Sequence, residues 1–282
     1  MSEEDTQPMR ILIVASSSPH TKEALHFGAQ LSRRTSEPFT LLCVGRTRPA
    51  QVRLGKELAR LRQLLEPGSA YVHSKVRFGR LAEQILREAE EEAYDLIIIG
   101  ERLRPSGVLA RLFGSAVCTV AERAPCPVLV VKGQVRPLRR LLLCDSGVLS
   151  PPLLDRFTAR LRPLLDAQQE MTILHVMSQM SAGPGVRGEQ LRADAEELMS
   201  EHSPEGQLLE RNLDILEGSD LNAQPKVRHG LVVDEILEEA GSGDYDLVVI
   251  GAHPDEGWRR ILLDDLAHRL LVRLKRPVLV VR

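Results

Sequence analysis

The side chains of this 282-residue chain that could carry chemistry are few and scattered. Its four cysteines, Cys43, Cys118, Cys126 and Cys144, include no pair at CxxC spacing. A zinc ribbon or a dithiol redox motif therefore has no support. Sparse, irregular thiols in a chain this long read as reduced cytosolic cysteines. No HExxH, GxSxG or GxxxxGK[ST] occurs, so zincin, hydrolase and P-loop chemistry lack their usual motifs. The histidines are dispersed. His175 lies in an aliphatic run and reads as a packed residue, whereas His253, beside Pro254 in a loop, is the best-placed functional histidine. Trp258 is the single tryptophan and has a modest bias toward an interface. No catalytic residue and no metal-ligand set is assigned.

Composition narrows the classes further. A formal net charge of -2 with mixed signs argues against an electrostatic grip on nucleic acid or an anionic membrane. Aromatics make up only 3% of the residues, too few for a surface that stacks single-stranded bases. A hydrophobic fraction of 43% excludes wholesale disorder. The core must then be Leu, Val, Ile and Ala, which suits buried parallel strands. The start, Met1-Ser2-Glu3-Glu4-Asp5, is acidic and unlike a signal peptide, and no apolar run approaches the ~18 residues of a membrane span. These features predict a cytoplasmic protein.

The elements that must position any site come from an internal repeat. Tyr94-Asp95-Leu96-Ile97-Ile98-Ile99-Gly100 matches Tyr245-Asp246-Leu247-Val248-Val249-Ile250-Gly251 at an offset of 151. Val76-Arg77-Phe78-Gly79 matches Val227-Arg228-His229-Gly230 at the same offset, and the run from Pro127 to Val131 matches that from Pro277 to Val281 at 150. Leu41-Leu42-Cys43-Val44 matches Ile173-Leu174-His175-Val176 at 132, so the second half gained 19 residues between its second and third strands. Short aliphatic runs alternate with helical stripes such as Leu81, Ala82, Ile85, Leu86 and Ala89, with Glu83, Arg87, Glu88, Glu90 and Glu91 largely outside the stripe. The pattern predicts an α/β fold: two tandem Rossmann-like domains, each a five-stranded, mainly parallel sheet flanked by helices. The predicted domains are 1–134 and 135–282, with an insertion over about 178–206 read as a loop enclosing a short surface helix around 189–200.

On these residues the chain resembles the universal stress protein family in its tandem, two-domain form. The resemblance rests on strand one with its small polar turn, on Asp95 to Gly100, on Gly114-Ser115, and on the ending Ala124-Pro125-Cys126-Pro127-Val128-Leu129-Val130-Val131. It implies the adenine nucleotide alpha hydrolase-like form of the Rossmann fold. Nucleotide-binding members resemble Gly-x-x-Gly-x9-Gly-Ser/Thr after the fourth strand, with an Asp ending strand one. Glycines let backbone approach phosphates, and a helix start offers free N–H groups to anions.

Carried over residue by residue, the resemblance gives the first half a candidate site of Ser16, Val44, Ile99, Gly100, Gly114, Ser115, Ala116 and Val117. Ser16 stands where the family has Asp, and the second glycine of the motif is missing. The second half keeps Asp145 and Gly251 but has Asp264-Asp265 at the Gly-Ser position. Read as a helix start, that pair opposes a triphosphate: two like charges ~4 Å apart repel by about 4 kcal/mol at an effective dielectric near 20. The expected role is a non-enzymatic stress-response or regulatory protein with degenerate nucleotide sites. Two alternatives stand beside it: an ATP-binding first half with slow hydrolysis or ATP-gated switching, and an interaction scaffold. ATP in the first half is the one cofactor considered. The expected partners are the other half of the chain, paired through the C-terminal strands Val128–Val131 and Val278–Val281, a second copy forming a homodimer, and an unidentified regulatory protein, with no nucleic acid and no membrane.

Overall fold

Aliphatic strands without polar alternation need cover on both faces, and parallel strands joined by helices supply it. The computed structural model describes residues 9–15, 20–35, 37–47, 51–65, 72–101, 116–133, 136–147, 149, 151–177, 193–217, 221–252 and 258–282, with Arg33 and residues 258–265 described by their backbone only. The chain divides into two compact units, Met1–Val135 and Arg136–Val281.

In the first unit the elements run β1 (Ile11–Ala15), α1 (Thr21–Thr35), β2 (Phe39–Gly45), α2 (Gln51–Gln63), β3 (Val72–Phe78), α3 (Leu81–Glu91), β4 (Leu96–Gly100), α4 (Ala116–Arg123) and β5 (Val128–Val131). Its strands lie in the order β3-β2-β1-β4-β5, all parallel. The second unit runs β6 (Arg140–Cys144), α5 (Leu153–Leu161), a 3-10 turn (Arg162–Leu164), β7 (Glu170–Met177), α6 (Ala195–Ser200), α7 (Pro204–Glu217), β8 (Asn222–His229), α8 (Val232–Ser242), β9 (Leu247–Gly251), α9 (Trp258–Arg273) and β10 (Val278–Val281). Its order is β8-β7-β6-β9-β10, again all parallel. The expected α/β architecture is present in both units, and the strands β1, β4 and β5 are buried along their whole length. Strand order reverses between β1 and β4 and between β6 and β9, which opens a crevice at the carboxyl ends of those strands. No described helix is long and apolar enough to cross a membrane.

The edge strands are the exception to the aliphatic rule. β3 and β8 carry Lys75 and Arg77, or Lys226 and Arg228, and face a carboxylate on the following helix. Glu88 is completely buried and Glu239 nearly so. Glu88 accepts from Lys75 Nζ at 2.7 Å, Arg77 Nε at 2.6 Å and Tyr94 OH at 2.8 Å. Glu239 accepts from Lys226 Nζ at 2.8 Å, Arg228 Nη1 at 3.1 Å and Tyr245 OH at 2.7 Å. The same residue types thus recur at the 151-residue offset. The helical stripe placed Glu88 outside the core; it lies inside because three donors replace its lost water. Burial opposes ionisation of each carboxyl, but the bonds from Lys75, Tyr94 and Arg77, and from Lys226, Tyr245 and Arg228, hold both below the ordinary value. The Tyr-Asp pairs that mark the repeat do related work: Asp95 accepts from the Arg10 backbone N–H at 2.8 Å, and Asp246 from those of Arg139 and Arg140 at 2.9 and 3.0 Å.

The insertion holds the expected short helix, over a narrower span. Its described part holds α6, opened by a capping box in which Asp194 accepts from Glu197 N at 2.9 Å and Glu197 accepts from Asp194 N at 3.1 Å. Leu198 is fully buried against Met177, Ala193 and Val227, so α6 docks by one face, while Glu196, Glu197 and Ser200 are exposed, as in the expected surface helix. Residues 178–192 of the insertion lie outside the described residues.

Removing a buried partner while its cations stay is costly, so Glu239→Ala and Glu88→Ala are each expected to lower stability by about 3 kcal/mol or more in urea unfolding at pH 7. Both folded-state carboxyls lie below their ordinary value, so their contribution is complete above the unfolded pKa, about 4.3. It is lost as pH falls through the folded value. The Glu88→Gln, Glu239→Gln double variant should therefore be less stable than the parent at neutral pH and lose less stability below pH ~4.

Candidate functional site

The best-defined constellation gathers at the carboxyl ends of β6, β7 and β9 in the second unit. Asp145 follows the last residue of β6, and its backbone N–H donates to Leu174 O at 3.0 Å, carrying the ladder one step past the strand. Its carboxylate is 2% exposed. One oxygen, Oδ1, accepts from Gly147 N at 3.0 Å, closing a tight turn in which Gly147 has φ +71. The other, Oδ2, accepts from Asn212 Nδ2 at 3.0 Å. Asn212 is itself fully buried, on the α7 face that also buries Leu209 and Leu216. Among the described residues its Oδ1 has no partner. No described cation pairs with Asp145.

His175, in β7, is 8% exposed. Its Nδ1 lies 2.9 Å from the backbone oxygen of Asp145. A carbonyl can only accept, so Nδ1 carries a proton, and Nε2 is the ring nitrogen left for the site. The packed role expected for His175 is met, and it also reaches the site.

Asp145 and His175 border a cavity of about 380 Å³, within the range of small-molecule sites, and Asn212 stands behind Asp145. Leu149, Leu174, Leu208, Val232, Ile236 and Ile250 supply apolar wall, and Glu205 from the first turn of α7 adds a second carboxylate. Neither Lys nor Arg lines it among the described residues. Cys144 also lines it, but burial, followed by the nearby Glu239 and Asp145 carboxylates, pushes its thiol well above the ordinary range. It is therefore protonated at neutral pH and a poor nucleophile. No described group of three or more His, Cys, Asp and Glu could hold a metal.

Of the sequence-predicted residues, Asp145 and Gly251 meet at this cavity. Asp264 and Asp265 do not open a helix: α9 begins at Trp258, so both lie well inside it. The capping role expected for them at a helix start therefore fails, because a backbone N–H inside a helix is already bonded to the preceding turn. In the first unit, Val44, Ile99 and Gly100 lie at the carboxyl ends of β2 and β4, and Ala116 and Val117 begin α4. Ser16, Gly114 and Ser115 lie outside the described residues, as does His253. The sheet register corrects one alignment. Val14 pairs with Ile99 and Cys144 with Ile250, so the counterpart of Asp145 is Ala15, one residue before Ser16.

Gly100 also has a reason unrelated to phosphate. A Cβ there would sit 2.4 Å from the backbone oxygen of His20. At Gly251 the added atom would meet Leu149 Cδ1 at 2.2 Å, the far end of a flexible side chain. Sequence reasoning missed Asn212, Glu205 and Leu208. The signal for Asn212 was an amide among Leu209 and Leu216 on one apolar helix face, a position that requires a buried polar partner.

Gly100→Ala should therefore cost about 1–3 kcal/mol, through forced backbone movement. Gly251→Ala should cost clearly less, because Leu149 can change rotamer. Thermal unfolding of the two variants side by side tests the contrast.

The model of the universal stress protein family matches residues 8–132 and again 142–282. A functionally unknown protein from Pseudomonas aeruginosa PAO1 is similar in structure, with a TM-score of 0.66 and 20% identity, over 98% of this chain and 93% of that one. A universal stress protein from Archaeoglobus fulgidus DSM 4304 gives a TM-score of 0.67 and 16% identity, over 98% of this chain and 97% of that one. At these identities the likeness concerns the fold. A universal stress protein solved in complex with cAMP aligns with 44% of this chain and 95% of its own, at 20% identity and a TM-score of 0.37. No curated protein matches the sequence at a significant level.

Proposed function

The chain belongs to the universal stress protein family, with one copy of the domain in each half, and from that premise we propose a non-enzymatic regulatory role in stress response, with nucleotide sites that no longer hold ATP tightly. One observation carries the reading: the second-unit cavity is bordered by Asp145 and Glu205 and by no described Lys or Arg. Asp145 stands where nucleotide-binding members keep an Asp, so the added charge that opposes a triphosphate is that of Glu205, with no described cation beside it to offset it. The protonated Cys144 is a poor nucleophile. The role is therefore one of binding, with output through an unidentified regulatory partner. The scaffold reading gains little from the insertion, since α6 turns Leu198 into its own unit.

A second reading concerns the first unit, where Ile99, Gly100, Ala116 and Val117 sit at the carboxyl end of β4 and the start of α4. That placement keeps weak ATP binding open there.

Calorimetry with ATP and Mg²⁺ tests both. The expected result is no saturable heat with a Kd below about 1 µM, and no phosphate released on incubation. Submicromolar binding lost in Asp145→Ala would sink the proposal for the second unit. Binding lost instead in Ser115→Asp would establish the first-unit site.

A further inference from the structure

We propose that the second-unit cavity binds a small, phosphate-free organic cation: an ammonium group on a compact apolar body. The inference rests on the reading above that this cavity does not hold a triphosphate, and goes on to name what it does hold. Three of its titratable side chains present the same kind of atom. Among the described residues, Asp145 is a buried carboxylate satisfied only by neutral donors, Gly147 N and Asn212 Nδ2. Glu205 is a carboxylate on the rim-forming turn of α7. His175, with Nδ1 committed to the Asp145 carbonyl, leaves Nε2 without a protein partner among the described residues. Carboxylate oxygens accept hydrogen bonds and do not donate them, and Nε2 of a ring protonated at Nδ1 alone accepts as well. The complement is a group rich in N–H donors and bearing positive charge.

The rest of the wall sets the body of the ligand. Leucine, valine and isoleucine side chains from β7, β9, α7 and α8 surround the polar end, in a space of about 380 Å³. A volume of this order fits a single ring with a short chain. A buried carboxylate without a cation among the described residues is an arrangement that a bound ammonium favours, so the charge on the ligand contributes to affinity as well as orientation.

Phenethylamine, 2-phenylethanol and phenylacetate form a test series of near-equal size and positive, zero and negative charge. Each is titrated into the full chain by calorimetry and by thermal shift, with ATP as a fourth ligand. Saturable binding of phenethylamine, at least about tenfold tighter than 2-phenylethanol and with phenylacetate silent, is the expected order. Asp145→Asn should weaken phenethylamine about tenfold or more and 2-phenylethanol clearly less. That variant can be absorbed by the fold, because reversing the Asn212 amide turns its partnerless Oδ1 toward the new N–H donor. Glu205→Gln, at a partly exposed position, gives the same direction with a smaller loss and needs no repacking. Equal binding of all three compounds, binding of phenylacetate in preference to the amine, no saturable binding of the amine, or amine binding indifferent to Asp145→Asn each overturns the proposal. Silence from both the amine and ATP would overturn this inference alone. Tight ATP binding that depends on Asp145 would overturn the earlier reading and this one with it.

Discussion

A carboxylate taken fully out of water persists only where donors replace every lost contact, and each half of this chain fixes its sheet edge around one. Glu239 joins α8 to β8 through Lys226 and Arg228, and Tyr245 closes the set from the turn before β9. The consequences reach the cavity directly. One turn before Glu239 on the same helix stands Ile236, and one turn before that Val232, both lining it. On the strand side, Val227 pairs with His175 and Lys226 with Leu174. The ion network thus holds the helix and the edge strand against β7, whose residues form the cavity floor. Without it, an edge strand whose side chains alternate between solvent and interior would depend mainly on its ladder bonds to β7.

Much of this was legible in the residues. The repeated Tyr-Asp-aliphatic-Gly runs and the Pro-Val-Leu-Val-Val endings prescribe strands in the right order, because uninterrupted aliphatic runs bounded by Gly and Pro leave few alternatives. The ion network was half visible. Val76-Arg77 and Val227-Arg228 marked the repeat, but a glutamate on a charged helix face gives no local sign of being buried; only the lysine and arginine of a neighbouring strand decide it. The site was less legible still. Asp145 could be read from its place at the end of a strand. Asn212 and Glu205 reach it from a helix more than fifty residues away in sequence, and no spacing rule connects them. Asp264-Asp265 misled for a different reason: where a helix begins depends on its capping geometry, and composition placed that start several residues late.

The contrast between Gly100 and Gly251 shows how the same residue type can carry different meanings. At Gly100 the neighbouring backbone alone excludes a side chain, so the glycine would be needed whether or not a ligand bound. At Gly251 the obstacle is a leucine tip that lines the cavity. A conformational requirement and a binding requirement are indistinguishable by residue type, and only what the missing Cβ would touch separates them. Similarly, the aspartate that suits a nucleotide base in one surrounding suits a cation in another. What differs is the company it keeps, here a second acid and no described lysine or arginine.

The stretch between β7 and β8 has a further consequence for how the chain folds. Forty-four residues, 178–221, separate those paired strands, against twenty-six, 46–71, between β2 and β3. Closing the longer loop carries an added entropic cost of about 0.5 kcal/mol by ideal-chain statistics. The difference is small because loop closure grows only logarithmically, and helices forming within the loop shorten it before the strands meet. α6 and α7 are joined by such a local corner, where Ser203 Oγ donates to Leu198 O at 3.0 Å and accepts from Gly206 N at 3.0 Å. That corner lets the second half accommodate a long excursion between adjacent strands with little delay relative to the first.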